Sequence, residues 1–116
     1  QFVIIDNEAG MEHLSRRTNS GIDVLFIVAE PTNISFLAAE NIKKATERLP
    51  IKIMKKYLIV NKYQNEDIKK IDGLNIAGYI RYNEKVFVEF EKNIFGTNNL
   101  SIKDDLNNIL VKSGII

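Results

Sequence analysis

The stretch Asp23-Val24-Leu25-Phe26-Ile27-Val28-Ala29-Glu30-Pro31-Thr32 sets the fold class, because an unbroken apolar run meets a turn there. Such a run is typical of a strand that is buried on both faces, as in the interior of a parallel sheet. Pro31 cannot donate a hydrogen bond to a neighbouring strand, and Thr32 or Asn33 is a good cap for a following helix. The stretch therefore predicts a strand that turns directly into a helix.

The residues after this turn carry the pattern of an amphipathic helix that Pro50 ends. Apolar residues recur at three- and four-residue steps, which predicts one apolar stripe facing the core. The stripe consists of Ile34, Leu37, Ala38, Ile42, Ala45 and Leu49.

The alternation of strands and helices continues downstream. Residues 51–56 are predicted to connect to a strand at 57–60, and residues 65–71 to form a short helix with Ile68 and Ile71 inward. Residues 75–80 are predicted to form another strand, in which Gly78 marks the close approach of a neighbour.

Two helices are predicted to end the chain. Asn83 can cap a helix with Phe87, Phe90 and Ile94 on one face, and Ser101 with Asp104 has the spacing of a capping box. The last helix has an apolar stripe of Ile102, Leu106, Ile109 and Leu110. Alternating strands and helices require parallel pairing with right-handed crossovers, which predicts a doubly wound α/β sheet in a single domain, residues 1–116.

The composition is that of an ordinary globular protein. The 116 residues are 45% hydrophobic and 27% charged, and a net charge of +1 provides no strong field for nucleic acid or an anionic membrane. No apolar run approaches the length of a membrane span, and without cysteine the chain has no disulfide or thiolate metal site. We expect a cytoplasmic protein with neither a nucleic-acid nor a membrane partner.

An aspartate closes a second apolar run near the start of the sequence. Phe2-Val3-Ile4-Ile5 is typical of a buried strand, and Asp6 stands at its carboxyl end, where open α/β sheets bind ligands. At Gly10 a backbone without Cβ could bring its N–H close to a phosphate oxygen. Nucleoside triphosphatases use this arrangement to couple Mg²⁺ to a loop that senses the γ-phosphate. An aspartate here also serves as a turn former or helix cap, and the spacing alone leaves both readings open.

The longer segment Asp6-Asn7-Glu8-Ala9-Gly10-Met11-Glu12-His13-Leu14-Ser15-Arg16-Arg17-Thr18 resembles a segment of the CooC family. The family pattern is Asp-x-Glu-Ala-Gly-x-Glu-His-Leu-x-Arg, and its members are ATPases that help mature nickel-containing carbon monoxide dehydrogenase. Wider relatives are the MinD and ParA ATPases of the deviant-Walker P-loop NTPases. The resemblance continues through 23–31 and at Asn61-Lys62, so it covers most of the chain.

The resemblance implies a role for each matching residue. Asp6 would hold Mg²⁺ through its water shell, and Gly10 would donate its N–H to the γ-phosphate. Glu8, Glu12 and His13 would form the switch that transmits the nucleotide state, with Glu8 a candidate general base. The implied cofactors are ATP and Mg²⁺, and nickel would bind through residues outside this chain. The implied partners are a second copy, in a nucleotide-dependent homodimer, and carbon monoxide dehydrogenase.

A second candidate site lies at Asn61-Lys62, after the strand predicted at 57–60. The amide of Asn61 carries a donor and an acceptor, which match N7 and the N6 amine of adenine, and the related ATPases carry their base-contacting asparagine at this point. Arg81 stands where the family has proline, which leaves the shape of the loop beside adenine open. Arg81 and Tyr82 could pack on the base, or they could form a simple exposed turn.

No phosphate-binding loop is present. None of the six glycines is followed by lysine, so the pattern G-x-x-x-x-G-K-[ST] is absent. In the family that loop precedes the Asp-x-Glu-Ala-Gly segment, so we expect this sequence to be the C-terminal part of a longer ATPase. Two alternatives stay open: a MinD- or ParA-type switch that organises a protein partner or membrane patch, and a non-catalytic α/β binding module.

Overall fold

The computed structural model describes residues 1–7, 21–91 and 100–116. The elements in these ranges are β1 (Ile22–Ala29), α1 (Asn33–Glu47), β2 (Ile53–Tyr63), β3 (Asn75–Arg81), α2 (Glu84–Glu91) and α3 (Leu100–Ser113). The strands form a parallel sheet in the order β1-β2-β3, with α1 packed on one face and α3 on the other. The predicted α/β class with parallel pairing is confirmed.

The strand β2 is the centre of the sheet. It pairs with β1 from Ile22↔Ile53 to Ala29↔Val60, and with β3 on its other side. It is longer than the predicted strand at 57–60, because parallel pairing continues through the lysines of the segment predicted as a connection. The outer edge of β1 has no partner strand within the described part of the chain.

The helix α1 covers the first face of the sheet. Its N-cap is Thr32, one of the two caps predicted from the sequence, and Thr32 Oγ1 accepts a hydrogen bond from the Ser35 N–H at 3.2 Å. The helix buries Phe36, Ala39 and Thr46 against a core of Ile27, Ala29, Leu58, Val60 and Leu74. The predicted stripe was wrong in part: Ile34 and Leu37 are 84% and 59% exposed, and Ala38 is exposed as well. The sequence carries two neighbouring apolar stripes, and the one that contains the large Phe36 ring faces the sheet.

The helix α3 packs on the second face through Ile109. Ile109 is buried with Ile59 and Ala77, and a Cβ built on Gly78 would lie 2.6 Å from its Cγ1. The prediction that Gly78 admits a close neighbour is confirmed, and the neighbour is a helix side chain.

The ends and face of α3 differ from their prediction. The helix already begins at Leu100, so Ser101 lies inside its first turn and the predicted capping box does not start it. The buried face is Asp105, Ile109 and Ser113, whereas Leu106 is 42% exposed. This rotation brings the carboxylate of Asp105 to the end of β3. Gly114 follows the helix at φ +78°, a conformation that favours glycine, as expected past a helix end.

The connection from β2 to β3 is irregular, so the helix predicted at 65–71 was wrong. Asn65 has a φ of +66°, outside the helical region, and Ile71 forms an isolated bridge with Leu74. The predicted inward positions are nevertheless confirmed, since Ile68 and Ile71 pack against the core beside α1. Ile68 and Ile71 therefore reach the core from an irregular segment, without the helix that their spacing suggested.

The predicted strand at Phe2-Val3-Ile4-Ile5 is absent, because residues 1–7 carry no regular secondary structure. Phe2, Val3 and Ile4 are 73%, 83% and 92% exposed. A buried strand needs partners on its edges and layers on its faces, and no described strand pairs with this segment. The apolar sequence of residues 2–5 predicted a buried strand, whereas residues 2–4 are largely exposed in this structure.

Two questions about the helices remain: how α2 begins and which side chains share its apolar face, and whether any helix could cross a membrane. Asn83 caps α2 as predicted, with its Oδ1 accepting a hydrogen bond from the Lys85 N–H at 3.0 Å. Ile94 and the side chains of Phe87 and Phe90 lie outside the described part of the structure, so their shared face stays a prediction. Across the described ranges, no helix has the length and apolar character needed to cross a membrane.

Candidate functional site

The carboxyl ends of the strands bring the predicted base-contacting residues to one edge of the sheet. Asn61 and Lys62 lie among the last three residues of β2, Arg81 ends β3, and Tyr82 follows it. The Tyr82 N–H donates to the Tyr63 carbonyl at 3.0 Å, which ties the two strand ends together. Ligands of open α/β sheets bind at this edge. The geometry therefore assembles these four residues at a position suited to a ligand.

A β-bulge shapes the end of β2. Val60 pairs with Tyr79 and Tyr63 pairs with Arg81, so Asn61 and Lys62 together stand opposite a single residue of β3. Lys62 has a φ of +55°, a left-handed conformation that lysine rarely adopts. Bulges re-aim side chains and occur often beside functional sites. Here the bulge sets the direction of both the asparagine and the lysine.

The amide of Asn61 is partly engaged by its own backbone. Its Oδ1 accepts a hydrogen bond from the Lys62 N–H at 3.0 Å, and the side chain is half-buried. A carbonyl oxygen has two lone pairs, so this contact leaves acceptor capacity on Oδ1 and fixes the rotation of the amide plane. The group is therefore oriented before any ligand arrives.

An ion pair links the ends of β1 and β2. Lys62 Nζ lies 2.7 Å from Glu30 Oε1, and both side chains are about half exposed. A pair this exposed contributes about 0–1 kcal/mol to stability. Its effect is local: with the Glu30 N–H donating to Ser35 Oγ at 2.9 Å, it fixes the β1–α1 loop relative to Asn61.

The end of β3 is held by Asp105 of α3, a contact that the sequence did not predict. One carboxylate oxygen accepts the Arg81 backbone N–H at 2.9 Å, and the two oxygens lie 3.0 and 3.1 Å from Arg81 Nε. Arg81 Nη2 lies 2.9 Å from Asp105 Oδ1. Hydrogen bonding to Asp105, followed by its charge, raises the pKa of Arg81 above its ordinary value. Since an arginine with a raised pKa loses its proton only above that ordinary value, the Arg81 guanidinium stays charged throughout the accessible pH range.

The sequence offered one usable sign of this contact. Asp105 occurs four residues before Ile109 and eight before Ser113, so the three residues share one helix face. A carboxylate on a buried face needs a partner, because burial of an unpaired charge is costly. The identity of the partner was not readable, because Arg81 lies far away in the sequence.

The predicted phosphate and metal residues are only partly described. Asp6 is exposed in the irregular segment at the start of the chain, while Glu8, Gly10, Glu12 and His13 lie outside the described residues. Within the described ranges, no group of three or more His, Cys, Asp and Glu side chains could hold a metal ion. A lone carboxylate is compatible with Mg²⁺ bound mainly by phosphate oxygens and water. The chain contains no cysteine and therefore offers no thiolate ligand for nickel.

Comparison with known proteins gives relatives of one kind. No family model matches the chain. It is 37% identical over 92 residues to the uncharacterized ATP-binding protein MJ0685 of Methanocaldococcus jannaschii, a match that covers 74% of this chain and 36% of that protein. It is 41% identical over 93 residues to the uncharacterized ATP-binding protein MJ0823 of the same organism, covering 74% and 35% respectively. The chain thus spans about a third of the length of these curated relatives.

Proposed function

We propose that this chain forms the base-binding part of an ATP-dependent protein and that Asn61 recognises adenine. The observation that carries the proposal is the position of Asn61, oriented at the carboxyl edge of a parallel sheet. The similarity of the chain to proteins named as ATP-binding supports ATP as the nucleotide. An amide that offers a donor and an acceptor side by side matches the N7 and N6 edge of adenine.

The phosphates of ATP require groups beyond the described residues. No glycine of this chain is followed by lysine, so the loop that cradles the β- and γ-phosphates would come from another part of the protein. Asp6 would hold Mg²⁺ through water, and Gly10 would donate its N–H to the γ-phosphate. Mg²⁺, when bound, neutralises charge that develops in phosphoryl transfer. The residues of this chain would orient the nucleotide and the attacking water, with Glu8 the candidate base.

The narrower hypothesis is a nucleotide-gated dimer that assists nickel insertion into carbon monoxide dehydrogenase. It rests on the resemblance of residues 6–18 to the CooC pattern. Nickel would have to bind outside this chain, which has one histidine and no cysteine. A general MinD- or ParA-type switch needs no such ligands. Equilibrium dialysis of the complete protein with Ni²⁺ separates the two, since only the first binds the metal at a defined stoichiometry.

The test of base recognition compares ATP with GTP. In the complete protein, Asn61→Ala should weaken ATP binding about tenfold and leave GTP binding nearly unchanged, because a bidentate base contact contributes about 1–3 kcal/mol of discrimination. Isothermal titration calorimetry measures both affinities. Asn75→Ala is the matched control, since Asn75 is exposed at the opposite, amino end of β3. An unchanged preference for ATP in Asn61→Ala would contradict the proposal.

A further inference from the structure

The contact between Asp105 and Arg81 joins a buried group to an exposed one. The Asp105 side chain is 8% exposed, whereas the Arg81 side chain is 56% exposed. The carboxylate is satisfied by the Arg81 backbone N–H and by the Nε side of its guanidinium. Such a set of donors offsets the desolvation of a buried carboxylate.

These contacts restrain the orientation of the guanidinium as well as its position. Because Asp105 accepts from both Nε and Nη2, it limits the rotation of the guanidinium about the side chain. The additional bond to the backbone N–H anchors the same carboxylate to the strand. The exposed guanidinium is therefore held at the edge of the sheet where Asn61 lies near the end of the neighbouring strand β2.

A gain in the stability of the fold does not by itself explain why the chain carries this ion pair. Buried ion pairs can often be replaced by apolar residues of similar volume without loss of stability. A rigid guanidinium plane, in contrast, suits nucleotide recognition, because Arg stacks face to face on bases.

We propose that Asp105 is a positioning residue that holds the guanidinium plane of Arg81 as a stacking platform for the nucleobase bound by Asn61. This inference rests on the proposed function. It assigns different tasks to the two strand ends: Asn61 distinguishes adenine from guanine through its hydrogen bonds, whereas Arg81 binds the flat face that all bases share. Asp105 acts only through Arg81 and does not touch the nucleotide.

The experiment uses the complete protein and three probes: ATP, GTP and inorganic tripolyphosphate. Arg81→Lys keeps the charge but removes the plane, and Asp105→Asn keeps the size of the side chain but removes its charge. We expect each variant to bind ATP and GTP about tenfold more weakly, with unchanged tripolyphosphate affinity, because stacking involves only the base. The double variant should be no weaker than the more affected single variant. Circular dichroism confirms that each variant is folded at the temperature of the titration.

The three probes separate the possible failures. If Arg81→Lys and Asp105→Asn keep the wild-type ratio of ATP to tripolyphosphate affinity while Asn61→Ala lowers it, the stacking platform is refuted and base recognition stands. If the wild-type protein binds ATP no better than tripolyphosphate, both the proposed function and the platform are refuted. A purely structural role for Asp105 would lower the melting temperature without moving the affinity ratio, which also counts against the proposal.

Discussion

Replacing Gly78 with Ala tests how α3 is packed on the sheet. The added Cβ would lie 2.6 Å from Cγ1 and 3.6 Å from Cδ1 of Ile109. Carbon atoms in contact are about 3.5–4.0 Å apart, so the first approach is too close by about 1 Å. Ile109 is 2% exposed and cannot turn into solvent. We therefore expect Gly78→Ala to lower the free energy of unfolding by about 1–3 kcal/mol, the usual effect of an overpacked core.

A double-mutant cycle identifies the neighbour responsible. Ile109→Ala alone should lower the free energy of unfolding by about 2–5 kcal/mol, because it leaves a cavity. In that background Gly78→Ala meets no clash and should have almost no effect. Gly114→Ala is the matched control: its strain comes from a φ of +78°, so its effect should be equal in both backgrounds. Urea unfolding followed by circular dichroism gives all values, and an equal effect of Gly78→Ala in both backgrounds would refute the packing argument.

Other predictions concern the bulge, the metal and the dimer. At Lys62, with a φ of +55°, Gly should give a more stable protein than Ala by about 1 kcal/mol in urea unfolding, the reverse of the usual order in a strand. Equal stabilities would show that the strand end relaxes without strain. In the complete protein, Asp6→Ala should abolish ATP hydrolysis with a smaller effect on ATP affinity, because an Mg²⁺-shell ligand acts mostly as charge develops. Unchanged turnover at saturating Mg²⁺ and ATP would make Asp6 merely structural. A hydrolysis-deficient variant should sediment as a dimer with ATP and less so with ADP, whereas identical monomer fractions with ATP, ADP and no nucleotide would remove the basis for a dimer switch.

The parts of the fold that were predictable are those set by local chemistry. Strands β1 and β3 match the predicted ranges to within one residue at either end, because burial in a parallel sheet produces unbroken apolar runs. Thr32 and Asn83 cap helices as predicted, because their side chains satisfy N–H groups only a few residues away.

The parts that were not predictable depend on distant residues. Which apolar stripe of α1 faces the sheet is decided by how Phe36 fits against the strands, and helical spacing permits either choice. The partner of Asp105 depends on the rotation of α3 over β3. The left-handed Lys62 follows from a bulge in the pairing of β2 with β3, and lysine itself favours other conformations. At the candidate site, sequence reasoning supplied the residue types, while the contacts that orient them came from tertiary structure.

The outer edge of β1, which no strand of residues 1–7, 21–91 or 100–116 covers, has a consequence for how this chain behaves in solution. A strand edge with free N–H and C=O groups is a template for pairing with another chain, and β1 carries neither lysine nor proline to discourage it. Val28 adds an apolar side chain that is 56% exposed. We expect this chain, on its own at high concentration, to self-associate by strand pairing whether or not nucleotide is present. Val28→Lys should suppress that association and leave a monomer in sedimentation, since a charge on an edge strand disfavours pairing between copies.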